Sequence, residues 1–124
     1  MANSYKNQKL NLTTNSATTL YTVPSGRTAI LKSLTANEKS NNATTITVIL
    51  YDGNPASGGN PFNIYTNKTV SAYETLELLS KPLVMTENEV LQVTAGDANR
   101  LMVTTSLLEI FDENFFLIET HTDY

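Results

Sequence analysis

From Thr18 to Ile110 the chain alternates apolar and polar residues in short runs, broken by Gly, Pro, Asn and Asp at regular intervals. Period-two runs of this length predict strands, and no 3.6-residue period survives anywhere in the region. The cleanest run places Ile46, Val48 and Leu50 on one face with Thr45 and Thr47 on the other, as a half-buried strand requires. Thr18 to Val23 forms a first strand, stopped by a tight turn at Pro24-Ser25-Gly26. Arg27 to Asn37 follows. A fourth run sets Phe62, Ile64 and Val70 on one side, and Tyr73 to Leu79 turns Leu76 and Leu78 inward. Leu83 to Met85 is a short further strand. Val90 to Ala95 turns in Leu91, Val93 and Ala95, and the turn Gly96 to Asn99 predicts a hairpin into Leu101 to Ile110. In that last strand Leu101 and Val103 have one parity while Leu108 and Ile110 have the other, which a bulge near Thr104 to Ser106 would reconcile.

These runs predict an all-β chain: a single antiparallel β-sandwich of jelly-roll type with about seven or eight strands. Residues 1–17 read as an N-terminal arm, 18–110 as the sandwich, and 111–124 as a C-terminal extension. The composition agrees, because about a quarter of the chain is Thr or Asn, residues that favour strand surfaces and turns. A length of 124 residues suits one core.

Charge and residue counts narrow the function. A net charge of -4 with Lys+Arg 8 gives no basic footprint for a phosphate backbone, so nucleic acid is not expected as a direct partner. Without cysteine there is no disulfide frame, thiolate metal site or cysteine nucleophile. No run approaches the roughly 18 apolar residues of a membrane helix, and the start lacks the apolar core of a secretion signal. Synthesis in a cytoplasm and no membrane partner are therefore expected.

The chemistry-bearing residues are sparse. His121 is the single histidine, without a second for a metal site or a triad. Glu87 and Glu89 lie beside a turn, which they solvate more readily than they hydrolyse a sugar. Asp52-Gly53-Asn54 lacks the ligand density of a calcium loop and reads as turn chemistry. The Asn-x-Thr triplets at Asn11, Asn42 and Asn67 arise by chance in so Asn- and Thr-rich a chain. No catalytic, cofactor or metal residues are assigned, and the chain reads as non-enzymatic. Tyr51 and Tyr65 are candidate loop contacts, able to stack on the sugar rings of a host glycan, although tyrosine is an ordinary strand residue.

The C-terminus is the anomaly. Phe111, Phe115, Phe116, Leu117 and Ile118 stand among acids, with no Lys or Arg after Arg100. They form either a further strand or an arm that docks on a neighbour, since an exposed cluster of this size is an aggregation hazard for a monomer. With Tyr5, Leu10 and Leu12 of the N-terminal arm they make up the candidate assembly interface.

The segment Leu20-Tyr21-Thr22-Val23-Pro24-Ser25-Gly26-Arg27-Thr28-Ala29-Ile30-Leu31-Lys32-Ser33-Leu34 resembles the opening of small β-sandwich virion proteins of tailed bacteriophages, notably of cyanobacterial and marine hosts. Glu74 to Leu79, Pro82-Leu83-Val84, Glu89 to Val93 and Val103 to Ile110 fit the same pattern. The resemblance implies a virion structural protein made in the bacterial host cytoplasm, a capsid cement or decoration protein or else a neck, baseplate or tail component. It implies partners in further copies of the chain, a trimer being favoured, and in other virion proteins such as the major capsid protein. It carries no catalytic residue. The long loop from Asp52 to Pro61 and the extension beyond Ile110 depart from the pattern.

Overall fold

A computed structural model describes residues 3–111. Nine strands are described: β1 (Ser4–Leu12), β2 (Thr18–Thr22), β3 (Arg27–Glu38), β4 (Thr44–Tyr51), β5 (Pro61–Val70), β6 (Thr75–Glu77), β7 (Leu83–Met85), β8 (Val90–Ala95) and β9 (Leu101–Phe111). One sheet has the order β1-β9-β3-β6, with β7 also on β3, and the other the order β2-β8-β4-β5. All pairings are antiparallel. Because β6 and β7 pair with successive halves of β3, they act as one interrupted strand. The result is the eight-position, two-sheet arrangement of a jelly roll.

Alternation builds the core from both sheets. Leu31, Leu34, Leu101, Val103 and Leu107 of the first sheet and Ile46, Val48, Leu91 and Val93 of the second are all essentially inaccessible to solvent. Leu78 and Ala95 are buried as expected, and Leu50 and Leu76 pack at the core's margin. Phe62 departs from expectation: it is 55% exposed. Register shifts between Ile46 and Val48 and between Val48 and Ile49, with Asn67 in the left-handed region, break the simple parity that would have turned it inward.

Three further expectations are corrected. The N-terminal arm over 1–17 gives way to β1, an edge strand paired along β9 from Ser4 opposite Glu109 to Leu12 opposite Leu101. Its polar outer positions hide a half-buried strand from a reading based on apolar alternation. The hairpin between β8 and β9 is absent, because these strands lie in different sheets. Gly96 to Asn99 is therefore a crossover between layers, as is Pro24 to Gly26 between β2 and β3. Finally, β9 alternates without interruption, burying Leu101, Val103, Thr105, Leu107 and Glu109.

The bulge lies on the partner strand. Leu31 pairs with Leu107 and Ser33 with Ser106, leaving Lys32 as the extra residue of β3. Ala29 and Leu31 are buried before it, and Leu34, Ala36 and Glu38 after it. The backbone groups it displaces find side-chain partners: Leu34 donates its N–H to Glu77 Oε2 at 2.8 Å, and the Thr105 hydroxyl donates to the Ser33 carbonyl at 2.7 Å. A buried amide left without such a partner would cost on the order of 1 to 3 kcal/mol.

Gly26 holds φ +76°, with nothing within 4 Å of the position a Cβ would take. Gly26→Ala is therefore expected to cost about 1 kcal/mol through backbone strain alone, and Leu91→Ala about 2 to 5 kcal/mol through lost burial and a cavity. Urea denaturation measures both. Equal, negligible losses would contradict the corner geometry and the inward face together.

Candidate assembly interface

The end of the sandwich from which β9 leaves is closed by a buried carboxylate. Glu109 has no accessible surface and lies on the inner face of the first sheet. Arg27 of β3 donates to its Oε1 at 2.8 Å, Lys6 of β1 reaches the same oxygen at 3.0 Å, and the Tyr21 hydroxyl of β2 donates to Oε2. Tyr21 belongs to the opposite sheet, so this last bond crosses the sandwich. It arrives there because a register shift between Thr19 and Tyr21 lets Leu20 and Tyr21 both be buried.

Burial alone would push the Glu109 carboxyl up, but the hydrogen bonds from Tyr21, Lys6 and Arg27 together hold it below the usual carboxylate range. The Tyr21 hydroxyl is pushed well above its ordinary value by burial first and by Glu109 next. Arg27 also lies 4.1 Å from the centre of the Phe111 ring, a cation–π contact. Nothing in a sequence-level alternation marks Glu109 as interior. The signal available was its odd parity with Leu101, Val103 and Leu107, which the misplaced bulge erased.

The assembly candidates separate by face. Leu12 is buried in its own core and Leu10 packs against it, so both are corrected from interface to interior: their parity on β1 turns them inward opposite Leu101 and Val103. Phe111 is half-buried over Arg27 and ends β9, so it belongs to the sheet rather than to a detached arm. Phe115, Phe116, Leu117 and Ile118 lie outside the described residues. Tyr5 is 79% exposed on the outer face of the first sheet.

That outer face carries what the sequence did not predict. Tyr5 pairs with Leu108, Leu108 with Ile30, and Ile30 with Val84. Four apolar side chains thus form one row across β1, β9, β3 and β7. Val84 is 56% exposed, Leu108 and Ile30 are half-buried, and Ile110 stands two positions along β9 from Leu108 on the same face. The parity conflict in β9 was the trace of this row: Leu108 and Ile110 are apolar because they face outward onto it. The corresponding face of the second sheet shows Thr45, Thr47, Gln92 and Thr94 with Ile49 as its one apolar member among these central strands, all half-buried.

The loop candidates are not brought into a shared site. Tyr65 packs against the core and Tyr51 is half-buried opposite Pro61. Neither lines the groove between Asn54 to Ala56 and the strands β2 and β8, whose walls include Thr19, Asn88 and Gln92. The loop is closed by its own turn chemistry: Asp52 accepts from the Asn60 N–H at 2.7 Å and its side-chain amide at 3.1 Å, bonds that hold its carboxyl below the usual range. Glu87 accepts from the Gly26 N–H at 3.0 Å and Glu89 from the Thr86 N–H at 2.8 Å. Both therefore brace turns. Among the described residues no group of three His, Asp or Glu could hold a metal ion, and no helix is long and apolar enough to cross a membrane.

Comparison of the fold with solved structures returns proteins of viruses and of a pilus. The VP2 protein of infectious bursal disease virus, in derived T=1 particles, superposes with a TM-score of 0.55 at 10% identity, covering 90% of this chain and 32% of VP2. A protein of the Bacillus endospore appendages, described as a family of disulfide-linked pili, gives a TM-score of 0.53 at 7% identity and covers 89% and 87% of the two chains. A pentameric capsid protein from metagenomic phage sequences covers 86% of this chain at 16% identity, but its TM-score of 0.38 is too low to carry an argument. The chain spans about a third of the length of VP2, and at these identities the likeness is one of fold. No protein-family model and no curated protein matches the sequence.

The Glu109 cluster generates a pH dependence with a fixed sign. A carboxyl depressed in the folded state adds stability that is present above its unfolded value near 4.5 and is lost as pH falls through the folded value. Urea midpoints are expected to fall below about pH 4.5, and Glu109→Gln to lower stability at pH 7 while flattening that slope. Arg27→Met is expected to cost about 2 kcal/mol, less than the roughly 3 to 5 of a fully buried pair, because Lys6 and Tyr21 remain. An unchanged acid slope in Glu109→Gln would remove the carboxylate from this role.

Proposed function

We propose that this chain is a non-enzymatic virion structural protein of a tailed bacteriophage that works by self-association, as a capsid cement or decoration protein with trimer the favoured state. The observation that carries the reading is the apolar row Tyr5–Leu108–Ile30–Val84, in register and outward-facing across four strands of the first sheet. Four adjoining apolar side chains, two of them more than half exposed, form a contiguous patch of the kind that marks an interaction site. The three neighbours above 0.5 in TM-score are, by their descriptions, proteins of a virus, twice, and of pili, which supports a fold used for assembly. A disulfide-linked filament is not open to this chain, which has no cysteine. The phage-type turn from Tyr21 to Thr28 supports the virion over the pilus.

Magnitudes limit what the row does alone. Four side chains at about 1.5 to 3 kcal/mol each give roughly 6 to 12 kcal/mol, comparable to the roughly 4 to 15 kcal/mol lost in association. Contacts through the row by itself are therefore weak, and stable attachment needs additional interface or a pre-assembled shell to bind. The role is mechanical: added buried interface stabilises the assembled state through mass action.

Light scattering coupled to size exclusion tests this. The full chain is expected to associate in a concentration-dependent way, and Tyr5→Ser with Val84→Ser to weaken that association at least tenfold while leaving the β spectrum and the urea midpoint unchanged. A chain that stays monomeric at every concentration, or a double variant that associates normally, would count against the reading.

A further inference from the structure

We infer that the groove between the β4–β5 loop and the outer face of the second sheet binds a neutral saccharide. The groove lies on the opposite sheet from the apolar row, so it adds a binding site to the assembly role proposed above and is tested apart from it. Its volume is about 540 Å³, within the roughly 300 to 1,000 Å³ of sites that take small ligands. The wall carries three carboxamides, Asn54, Asn88 and Gln92, and two hydroxyls, Thr19 and Thr22, with no ionisable side chain. A wall without charge offers no ion pair to a phosphate, carboxylate or ammonium ligand. Each carboxamide presents donors and an acceptor, and each hydroxyl is both at once, which complements a sugar's own hydroxyls. Pro55, Ala56 and Val90 complete the lining and meet the C–H faces of a ring.

Much of that hydrogen-bonding capacity is unspent. The Asn88 carboxamide and the Thr22 hydroxyl have no partner among the described residues. Asn54 uses only its Oδ1, which accepts from the Ala56 N–H at 2.9 Å, and Gln92 only its Nε2, which donates to the Thr19 hydroxyl at 3.2 Å. Asn54 Nδ2 and Gln92 Oε1 are left for a ligand. The turn that carries Asn88 makes the contrast plain. Glu87 and Glu89 are both consumed in bracing it, through the N–H groups of Gly26 and Thr86. The residue between them stands at φ 69°, a left-handed backbone that asparagine tolerates, and turns a free amide to the groove.

The loop wall is held by its own bonds. The Asp52 N–H donates to the Asn60 carbonyl at 3.1 Å, and the Ser57 and Gly59 N–H groups both donate to the Asn54 carbonyl at 2.9 Å. Gly59 packs so closely on Gly53 that a Cβ there would collide with the Gly53 carbonyl. Yet the turn Pro55–Ser57 buries no residue, so the core does not require this ordering. A wall ordered in advance loses little freedom on binding. A peptide fits less well, since such ligands are held by a backbone ladder or by pockets for large apolar side chains. Here β2 and β8 are hydrogen-bonded to each other and line the groove with Thr19, Thr22, Val90 and Gln92. No aromatic ring lines the groove, so a single site binds weakly, and the many copies of an assembled particle, on the role proposed above, supply avidity.

An NMR titration of the isotope-labelled full-length chain, kept below the concentration at which it associates, tests the site. The probes are the monosaccharides and short oligomers of glucose, galactose, mannose and N-acetylglucosamine, with a peptide of Gly, Ser and Asn beside them. Saturable amide shifts are expected at Thr19, Thr22, Asn54, Ala56, Asn88 and Gln92 with at least one oligomer at millimolar concentration, and weaker binding of its monomer. Asn88→Gly, which keeps the left-handed backbone, combined with Gln92→Ala is expected to weaken binding at least tenfold with the β spectrum kept, while Val84→Ser leaves it unchanged. Groove shifts from the peptide and from no sugar overturn the inference in favour of a peptide ligand. Sugar shifts confined to residues outside the groove, or none with any sugar, overturn it outright. Light scattering on the same samples keeps the two readings apart. Self-association is expected to survive the groove substitutions, and its absence in the unaltered chain would remove the assembly role without touching the groove.

Discussion

One buried carboxylate organises the end of this sandwich. Glu109 is the point at which β1, β9 and β3 of one sheet and β2 of the other are joined by charge and hydrogen bonds, through Lys6, Arg27 and Tyr21. Apolar packing between two sheets is non-directional and tolerates sliding. An ionised group with no accessible surface does not, because an unmatched charge in that position is far more costly than a misplaced methyl. The register of β9 against both of its neighbours is therefore fixed where the chain leaves the fold, and the outer row is fixed with it, since a shift by one residue would exchange Glu109 for Leu108.

The opposite end repeats the device with different parts. Glu38, the last residue of β3, is inaccessible and faces Arg100 Nε at 3.5 Å from its Oε2, while its Oε1 accepts from the N–H and hydroxyl of Ser40 at 2.7 Å. Arg100 also donates to the carbonyls of Asn42 and Ala43, on the connection that carries the chain from one sheet to the other. Arg100 Nε and Glu38 Oε2 have no hydrogen bond beyond this ion pair, so the contact is looser than that at Glu109. The central pair β3 and β9 is thus pinned at both ends by acids that face inward, and both acids lie on strands that otherwise bury aliphatic side chains.

How much of this could be read in the sequence divides along physical lines. The strands, the inward faces of Ile46, Val48, Leu91 and Val93, and the two-layer fold were legible because apolar alternation reports burial directly. The edge strand β1 was not, since five of its nine positions are exposed polar or tyrosine residues in succession and its stability comes from pairing with β9. The bulge was placed on the wrong strand for a related reason. Parity was judged from apolar residues alone, which made Thr105 and Glu109 outward by default and the outward Leu108 and Ile110 inward. A buried acid with three partners from distant strands is invisible to any local pattern. The crossover at Gly96 to Asn99 reads as a hairpin in sequence because a turn's residues specify its backbone, and not whether the next strand joins the same sheet.

Strand β9 is apolar on both faces near its C-terminal end. Its inward residues, Leu101, Val103, Thr105, Leu107 and Glu109, close the core and neutralise its end. Its outward residues at the same end, Leu108 and Ile110, are apolar and half-buried. Folding and the proposed association therefore draw on opposite faces of one strand. Fixing the inner face through Glu109 keeps the outer row in register across β1, β9, β3 and β7, so the exposed apolar row is held in place by contacts on the opposite face of its own strands.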